Sequence, residues 1–468
     1  MKRIETWVLG TLVGVSLCLF VGLGGYFAYD LALKRGLLAG SAAAAATARP
    51  AAPTTLTRAP AAAAPTRAPA PTNTLVVPRE WVNNEVLQRI QSKMVALRGL
   101  SPRQPVALRF LTVDDLRGHL AELYSRDNPG RKVMIQQQLY TVLGFLRESD
   151  DLNRLLRDLN ARSISGFYSS EEQQLYIVSD RWNMSAGEEV AFAHEFTHAM
   201  QDQFYHLKSL DDRAATIDAR LAMTALIEGD ATLAMAQYAM STLSQSDVNE
   251  IVYQAAKIDP NRINDVPRAL ARMTLFPYES GLRFAQALYK LKGWDALNAA
   301  FAVPPLSTEQ IMHIEKYLTQ PDAPRPVALP AMDDLMGGSW NEIDRGTLGE
   351  FLLGLHLQQG LSEQEALVGA TGWGGDTYSL LTDAQGRRLW VLRSVWDAPT
   401  DAQRFFGAYA KLASAGGRIG RQIDEPGRAL WPWPDREIYL SQHGSDTLVI
   451  IAPDAATLDR ARHWFPGY

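Results

Sequence analysis

The apolar positions of residues 185–207 follow a helical period. Val190, Ala193, Phe196 and Met200 place an apolar stripe along one face of a helix. Ser185 stands three residues before Glu188, the spacing of an S-x-x-E capping box. The pattern therefore predicts a helix that begins at about Ala186 and runs past residue 200.

A second helix is predicted over residues 217–232, where the chain is apolar except for a few positions. Glu228 and Asp230 lie in the middle of this apolar run. Burying a carboxylate among apolar side chains costs free energy unless a partner compensates the charge. A metal ion is one such partner, so these two acids are candidate ligands.

The same periodicities predict a mainly helical α+β fold. Helices are expected at 80–97, 112–124, 132–147, 151–159, 241–257, 266–273, 282–292, 347–359, 401–413 and 454–464. Strands are expected at 106–111, 377–381, 388–396, 438–442 and 447–452, with a hairpin formed by 164–168 and 174–178. A capping box at 307–310 predicts one further helix that carries His313, residues 320–345 a linker or long loop, and residues 372–376 a turn.

The N-terminal part has a different composition from the rest. After a tail of residues 1–6, residues 7–28 carry no charge and are long enough for a membrane-spanning helix; a cleaved signal peptide is the alternative. Residues 29–75 form an Ala/Pro/Thr-rich linker, either a semi-rigid stalk or a disordered tail. The folded part then divides into residues 76–325 and a small α+β domain at 326–468. We expect this folded part, with its catalytic domain, to lie outside the cytoplasm.

Charge and cysteine content bear on possible partners and on covalent cross-links. The net charge of −5 argues against a nucleic-acid partner. Cys18 is the single cysteine, so no intrachain disulfide can form.

The helix predicted to begin at about Ala186 contains the candidate catalytic and metal-binding residues. His194-Glu195-Phe196-Thr197-His198 has the form HExxH. Residues four apart lie one turn above each other on a helix, so the two imidazoles can bind one divalent metal ion. Glu195 is then placed to take a proton from a water bound to the metal. We expect Glu228 to be the third ligand, with Asp230 as the alternative.

HEFTH followed by an apolar helix containing EGDA resembles the gluzincins, zinc metallopeptidases that take two motif histidines and a glutamate from a later helix. The resemblance implies Zn²⁺ at His194, His198 and Glu228, with Glu195 as general base in a zincin-like domain at residues 76–325. Thr232 stands where many gluzincins carry an acidic residue that orients the first histidine, which departs from the family pattern.

Two functions follow as hypotheses. In the first, the chain is a membrane-anchored zinc metallopeptidase that acts on a protein or peptide substrate, with His313 or Tyr278 stabilising the oxyanion and the hairpin edge pairing with extended peptide. In the second, the chain is a non-catalytic binding or scaffold protein with a structural metal site. Structural zinc sites are normally closed by four protein ligands, whereas this pattern offers three and a base, which favours the enzyme.

Overall fold

A computed structural model describes residues 84–112, 115, 118–119, 122, 130–161, 166–178, 184–256, 266–319, 322–332, 336–415, 420–422 and 426–468. The predicted membrane helix at 7–28 and the linker at 29–75 lie outside these residues, as does most of the helix expected at 112–124. Within the described ranges, no helix has the length and apolar character needed to cross a membrane. The fold is a mixture of α and β structure in which helices predominate.

The first part of the described chain is mostly helical. Its helices are α1 (Asn84–Arg98), α2 (Gly130–Val142), α3 (Leu152–Ala161), α4 (Ala186–Tyr205), α5 (Leu207–Arg213), α6 (Ile217–Thr242), α7 (Gln245–Ala256), α8 (Arg268–Lys292), α9 (Trp294–Ala302), α10 (Thr308–Met312) and α11 (Ile314–Leu318). Strands β1 (Ala107–Leu111), β2 (Gly166–Ser169) and β3 (Gln174–Val178) form a sheet in the order β1-β3-β2, with β1 parallel to β3 and β2 antiparallel to it.

The second part is built on a larger sheet. Its strands are β4 (Trp340–Gly346), β5 (Trp373–Asp383), β6 (Arg388–Trp396), β7 (Arg421–Gln422), β8 (Arg428–Pro432), β9 (Glu437–His443) and β10 (Asp446–Ala452), and its helices are α12 (Gly349–Leu357), α13 (Glu363–Ala370), α14 (Pro399–Ala413) and α15 (Ala455–Arg462). The strands pair antiparallel in the order β4-β5-β6-β10-β9-β8-β7.

Helices α6 and α8 cross with their backbones in close approach. A methyl group on Gly229 would overlap the backbone carbonyl of Gly281, and one on Gly281 would overlap the carbonyl of Ala225. Both glycines are therefore needed because a side chain would not fit between the two backbones. Gly229 directly follows Glu228, so this crossing fixes the depth at which that carboxylate lies.

The single helix α8 corrects the expectation of two helices at 266–273 and 282–292. Pro277 lies inside α8, where its ring removes one backbone hydrogen bond. The buried face of α8, which includes Met273, Phe276 and Phe284, packs on the core that α6 also lines. Burial of that face outweighs the local cost of proline, because tertiary packing supplies most of a helix's stability.

Other boundaries also differ from the sequence predictions. The helix expected at 132–147 ends at Val142, since Gly144 adopts a φ of 76°. The helix expected at 241–257 begins only at Gln245, because α6 continues to Thr242. Only half of the capping box predicted at 307–310 forms, since Ser307 Oγ accepts the Gln310 N–H while Gln310 Oε1 accepts the Leu306 N–H. The segment makes two short helices that break at His313. Strand β4 begins within the expected loop 320–345, and β5 already includes residues 373–376, for which the sequence predicts a turn.

The remaining strands and helices expected from periodicity are present within a few residues, including the hairpin β2–β3 and helices α4 and α6. One hydrophobic core connects the two parts of the described chain. It joins buried side chains of α6 and α8 to those of α12, β5 and β6. The rings of Phe276 and Phe351 stack at a centroid distance of 4.0 Å across this junction.

Candidate metal centre

The helix that carries the motif begins where the sequence predicts. Ser185 donates its backbone N–H to Glu188 Oε2 at 2.6 Å, and the Glu188 N–H donates to Ser185 Oγ at 3.3 Å. This capping box fixes the start of α4 at Ala186. His194 and His198 then lie one turn apart in the buried middle of the helix, facing α6.

Three buried side chains converge on one point. Glu228 Oε2 lies 3.1 Å from His194 Nε2 and 3.4 Å from His198 Nε2, and the two Nε2 atoms lie 2.9 Å apart. All three residues have 0% exposure. Tetrahedral bonds of about 2.0–2.1 Å would separate the ligand atoms by about 3.3 Å, so small movements would let this group hold a zinc ion. Glu228 Oε1 is buried and accepts no hydrogen bond from the described residues.

The charges of the cluster are those of a cation site. Burial lowers the pKa of His194 to about 4 and so keeps that imidazole neutral. Burial alone would also lower the pKa of His198, but the Glu228 carboxylate outweighs it and raises the pKa to about 9. Burial opposes ionisation of Glu228 too, yet His198 and His194 hold the pKa of that carboxyl near 2. The three residues thus stabilise one positive charge, which a metal ion can supply in place of a proton.

Glu195 is held by strand β2. Its Oε2 accepts the backbone N–H of Tyr168 at 2.9 Å, and the residue has 0% exposure. The Tyr168 hydroxyl donates to Asp202 of α4 at 2.9 Å, so the strand is tied to the helix at two points. Among the described strands, β2 lies at one edge of its sheet, which is the position that pairing with an extended peptide would need.

The two predicted oxyanion donors have different surroundings. Tyr278 of α8 is buried, and its ring centroid lies 6.3 Å from that of His194. His313 instead binds Glu350 of α12 at 2.9 Å. His313 follows the short helix of Thr308, which contacts Asp218 near the start of α6. Along α6, Asp218 and Glu228 are about 15 Å apart at 1.5 Å per residue. The structure thus brings Tyr278 beside the cluster and pairs His313 with Glu350.

Asp230, the alternative ligand, points away from the histidines. Its carboxylate contacts the Arg98 guanidinium at 2.9 Å and accepts from Gln201 Nε2 at 2.6 Å. A helix rotates about 100° per residue, so a residue two positions after Glu228 faces a different side. Sequence reasoning identified neither Arg98 nor Gln201. Gln201 stands one turn after His198 on the same buried face, and that spacing was the signal available.

A second group of carboxylates surrounds a lysine. Glu309, Asp322 and Asp397 all accept hydrogen bonds from Lys316 Nζ, at 2.5, 2.9 and 2.5 Å. The ammonium group already supplies the positive charge that these acids require. We therefore interpret this cluster as an ion-pair network and not as a metal site.

Part of the chain is similar to a known sequence family and to a solved structure. Residues 337–462 match the family model Domain of unknown function (DUF8575). No curated protein matches the chain. A crystal structure of a "putative hydrolase with a novel fold" from Chloroflexus aurantiacus aligns with 54% of this chain and 93% of its own, at 18% identity and a TM-score of 0.35. Structural agreement at that level supports no functional conclusion.

Proposed function

We propose that the chain is a zinc-dependent metallopeptidase in which His194, His198 and Glu228 hold the metal and Glu195 is the general base. The observation that carries this proposal is the convergence of two imidazole nitrogens and one carboxylate oxygen within 3.4 Å of one another. Three protein ligands leave a coordination position for water or substrate, which is the arrangement of catalytic zinc sites.

Zinc bound by these residues would supply Lewis acidity for the substrate carbonyl and lower the pKa of a water molecule to about 7. The chain's own contribution starts with Glu195, whose carboxylate would take a proton from the attacking water. The Tyr168 N–H bond to Glu195 Oε2 fixes the orientation of the base. Tyr278 is the candidate donor to the developing oxyanion, since its ring lies beside His194.

The proposal extends to the uncharged residues 7–28, which we assign to a membrane anchor that precedes a linker of 47 residues at 29–75. In this view the folded part acts outside the cytoplasm on extended protein segments.

The test compares the full-length wild type with Glu195→Gln for zinc content and for hydrolysis of an unfolded protein. The glutamine amide oxygen can still accept from the Tyr168 N–H, so the fold and the bound zinc should be retained. Loss of the general base should lower the rate about 10²–10⁴-fold. Glu189→Gln is the matched control, because Glu189 lies on the same helix and binds Arg89 and Tyr238 away from the cluster.

Equal activity of the wild type and Glu195→Gln, with zinc bound to both, would refute the proposed mechanism. Zinc bound by a wild type that hydrolyses no unfolded protein would instead favour the non-catalytic scaffold with a structural metal.

A further inference from the structure

We propose that Gln201 is a positioning residue that keeps the Nδ1 atom of His198 protonated, so that Nε2 is the nitrogen that faces the metal. Asp230 and Arg98 in turn fix the orientation of the Gln201 amide. The inference deepens the proposed function, since it rests on the metal site formed by His194, His198 and Glu228.

The hydrogen bonds of Gln201 determine which end of its amide faces His198. Gln201 Nε2 donates to Asp230 Oδ2 at 2.6 Å and to the backbone carbonyl of Ile227 at 3.0 Å. Both neighbours are acceptors, so the amide nitrogen must face them and the opposite orientation would place oxygen against oxygen. Gln201 Oε1 therefore faces His198 Nδ1, at 2.8 Å.

An amide oxygen is an acceptor, and His198 Nδ1 must then carry a hydrogen. A neutral imidazole has one N–H, so its Nε2 lone pair is left available. That Nε2 points at His194 Nε2 and Glu228 Oε2. Partners of this kind fix the ring orientation and the tautomer of metal-bound histidines.

Asp230 needs a compensating charge because it is fully buried. Arg98, also at 0% exposure, supplies it through its Nε at 2.9 Å. The Arg98 guanidinium binds Asn298 Oδ1 at 2.9 Å and lies 4.5 Å from the centroid of the Trp294 ring. Helices α1 and α9 thereby hold Asp230 in place, and the orientation of His198 depends on contacts far from the motif in sequence.

The first test replaces Gln201 with methionine, which has a similar length and forms no comparable hydrogen bond. Gln136→Met is the matched control, because Gln136 is also a buried helical glutamine but donates to Tyr140. Zinc affinity is measured by competition with a chromophoric chelator, alongside metal-free melting temperatures. We expect Gln201→Met to bind zinc about 10–100-fold more weakly and Gln136→Met to match the wild type. Equal affinities of Gln201→Met and wild type would overturn the proposal.

A pair of substitutions at positions 201 and 230 separates positioning from simple packing. In Asp230→Asn, an amide that can donate replaces one acceptor of Gln201 Nε2, so that the Ile227 carbonyl alone opposes turning of the Gln201 amide. In molecules in which the amide turns, its N–H faces His198 Nδ1 and zinc binding weakens. Adding Gln201→Glu restores an acceptor for His198 and also provides an acceptor for the amide N–H introduced at position 230. We expect the double variant to bind zinc about tenfold more tightly than Asp230→Asn alone. If the second substitution gives no recovery, the hydrogen-bond chain is not what orients the histidine.

A third measurement examines the metal-free wild type itself and uses a variant only to assign its signals. Nitrogen-15 spectra of the metal-free wild type, assigned with His198→Gln, report whether His198 Nδ1 carries a hydrogen. In the neutral imidazole we expect Nδ1 to carry the hydrogen and Nε2 to be unprotonated, since the Gln201 oxygen accepts from Nδ1. An unprotonated Nδ1 would overturn the proposal even if the chain proves to be a zinc peptidase. A protonated Nδ1 in a chain without peptidase activity would leave the inference standing and refute the proposed function.

Discussion

Three buried carboxylates of helix α6 are compensated in three different ways. Glu228 faces two imidazoles, and Asp230 faces the Arg98 guanidinium. Asp218 instead accepts from the backbone N–H and the hydroxyl of Thr308. The ionised form of a carboxylate is stabilised less by neutral donors than by a cation. Asp218 should therefore hold a proton to a higher pH than Glu228 does.

Asp218 provides a prediction about pH. Burial raises its pKa to about 8, although the bonds from Thr308 oppose the shift. Between the ordinary value of about 3.9 and pH 8, the folded state holds a proton that the unfolded state has released. The contribution of Asp218 to stability therefore falls as pH rises through that window. Asp218→Asn cannot ionise, so its melting temperature relative to wild type should rise between pH 5 and pH 8.5.

The comparison is made by thermal unfolding of both proteins in matched buffers. Asp115→Asn, at an exposed position, serves as the control. The difference between its melting temperature and that of the wild type should be the same at both pH values. A difference between Asp218→Asn and wild type that stays constant from pH 5 to pH 8.5 would contradict the assignment.

The sequence predicted part of this residue chemistry. The cost of burying Glu228 and Asp230 in an apolar helix pointed to partners for both, and HExxH supplied the partners of Glu228. The partner of Asp230 could not be found in the same way, because Arg98 lies 132 residues away and no local pattern links the two. The pairing of His313 with Glu350 could not be predicted for a similar reason, since Glu350 lies 37 residues further on.

At the scale of elements, the crossing of α6 and α8 sets the position of Glu228. Gly229→Ala or Gly281→Ala would place a methyl group against backbone that cannot move aside without separating the helices. We expect each substitution to lower the free energy of unfolding by about 1–3 kcal/mol and to weaken zinc binding, because Glu228 would shift with α6.

Gly187→Ala is the control for this prediction. Gly187 lies in α4, where an added methyl group meets only its own capping serine at 4.0 Å. The helix propensity of alanine should therefore stabilise the protein by about 0.5–1 kcal/mol. Chemical denaturation of the three variants and the wild type tests both the predicted losses and the predicted gain in the free energy of unfolding. If Gly229→Ala and Gly281→Ala were as stable as Gly187→Ala, the close crossing would be refuted.

Element types were more predictable than their boundaries. Capping boxes and apolar periods identified α4, α6 and the hairpin, because those signals are local. Pro277 and Gly281 suggested a break that packing on α6 overrides. The glycines at 374 and 375 suggested a turn, yet β5 continues through them with a shift of register beside Val395 of β6. In each case a contact distant in sequence outweighs a local preference.

At the scale of the whole molecule, both parts of the described chain share one core. Side chains of α8 and α12 stack across the junction, and His356 Nδ1 donates to the Leu143 carbonyl at 2.8 Å. Removing residues 337–468 would expose the apolar faces of α6 and α8 to water. We predict that residues 84–468 unfold as one cooperative unit, despite the boundary at residue 326 expected from sequence.

Differential scanning calorimetry of the metal-free protein checks this prediction. A single transition whose calorimetric and van't Hoff enthalpies agree is expected. Two resolved transitions, with the C-terminal sheet melting separately, would contradict it.

We have proposed that His194, His198 and Glu228 hold one zinc ion and leave a coordination position open. Anomalous diffraction at the zinc edge, from crystals of the zinc-loaded protein, tests it most directly. We expect one strong peak about 2.0–2.2 Å from both Nε2 atoms and from a Glu228 oxygen, with no fourth protein ligand. A peak bound by Asp230 in place of Glu228, or no peak beside the two histidines, would contradict it.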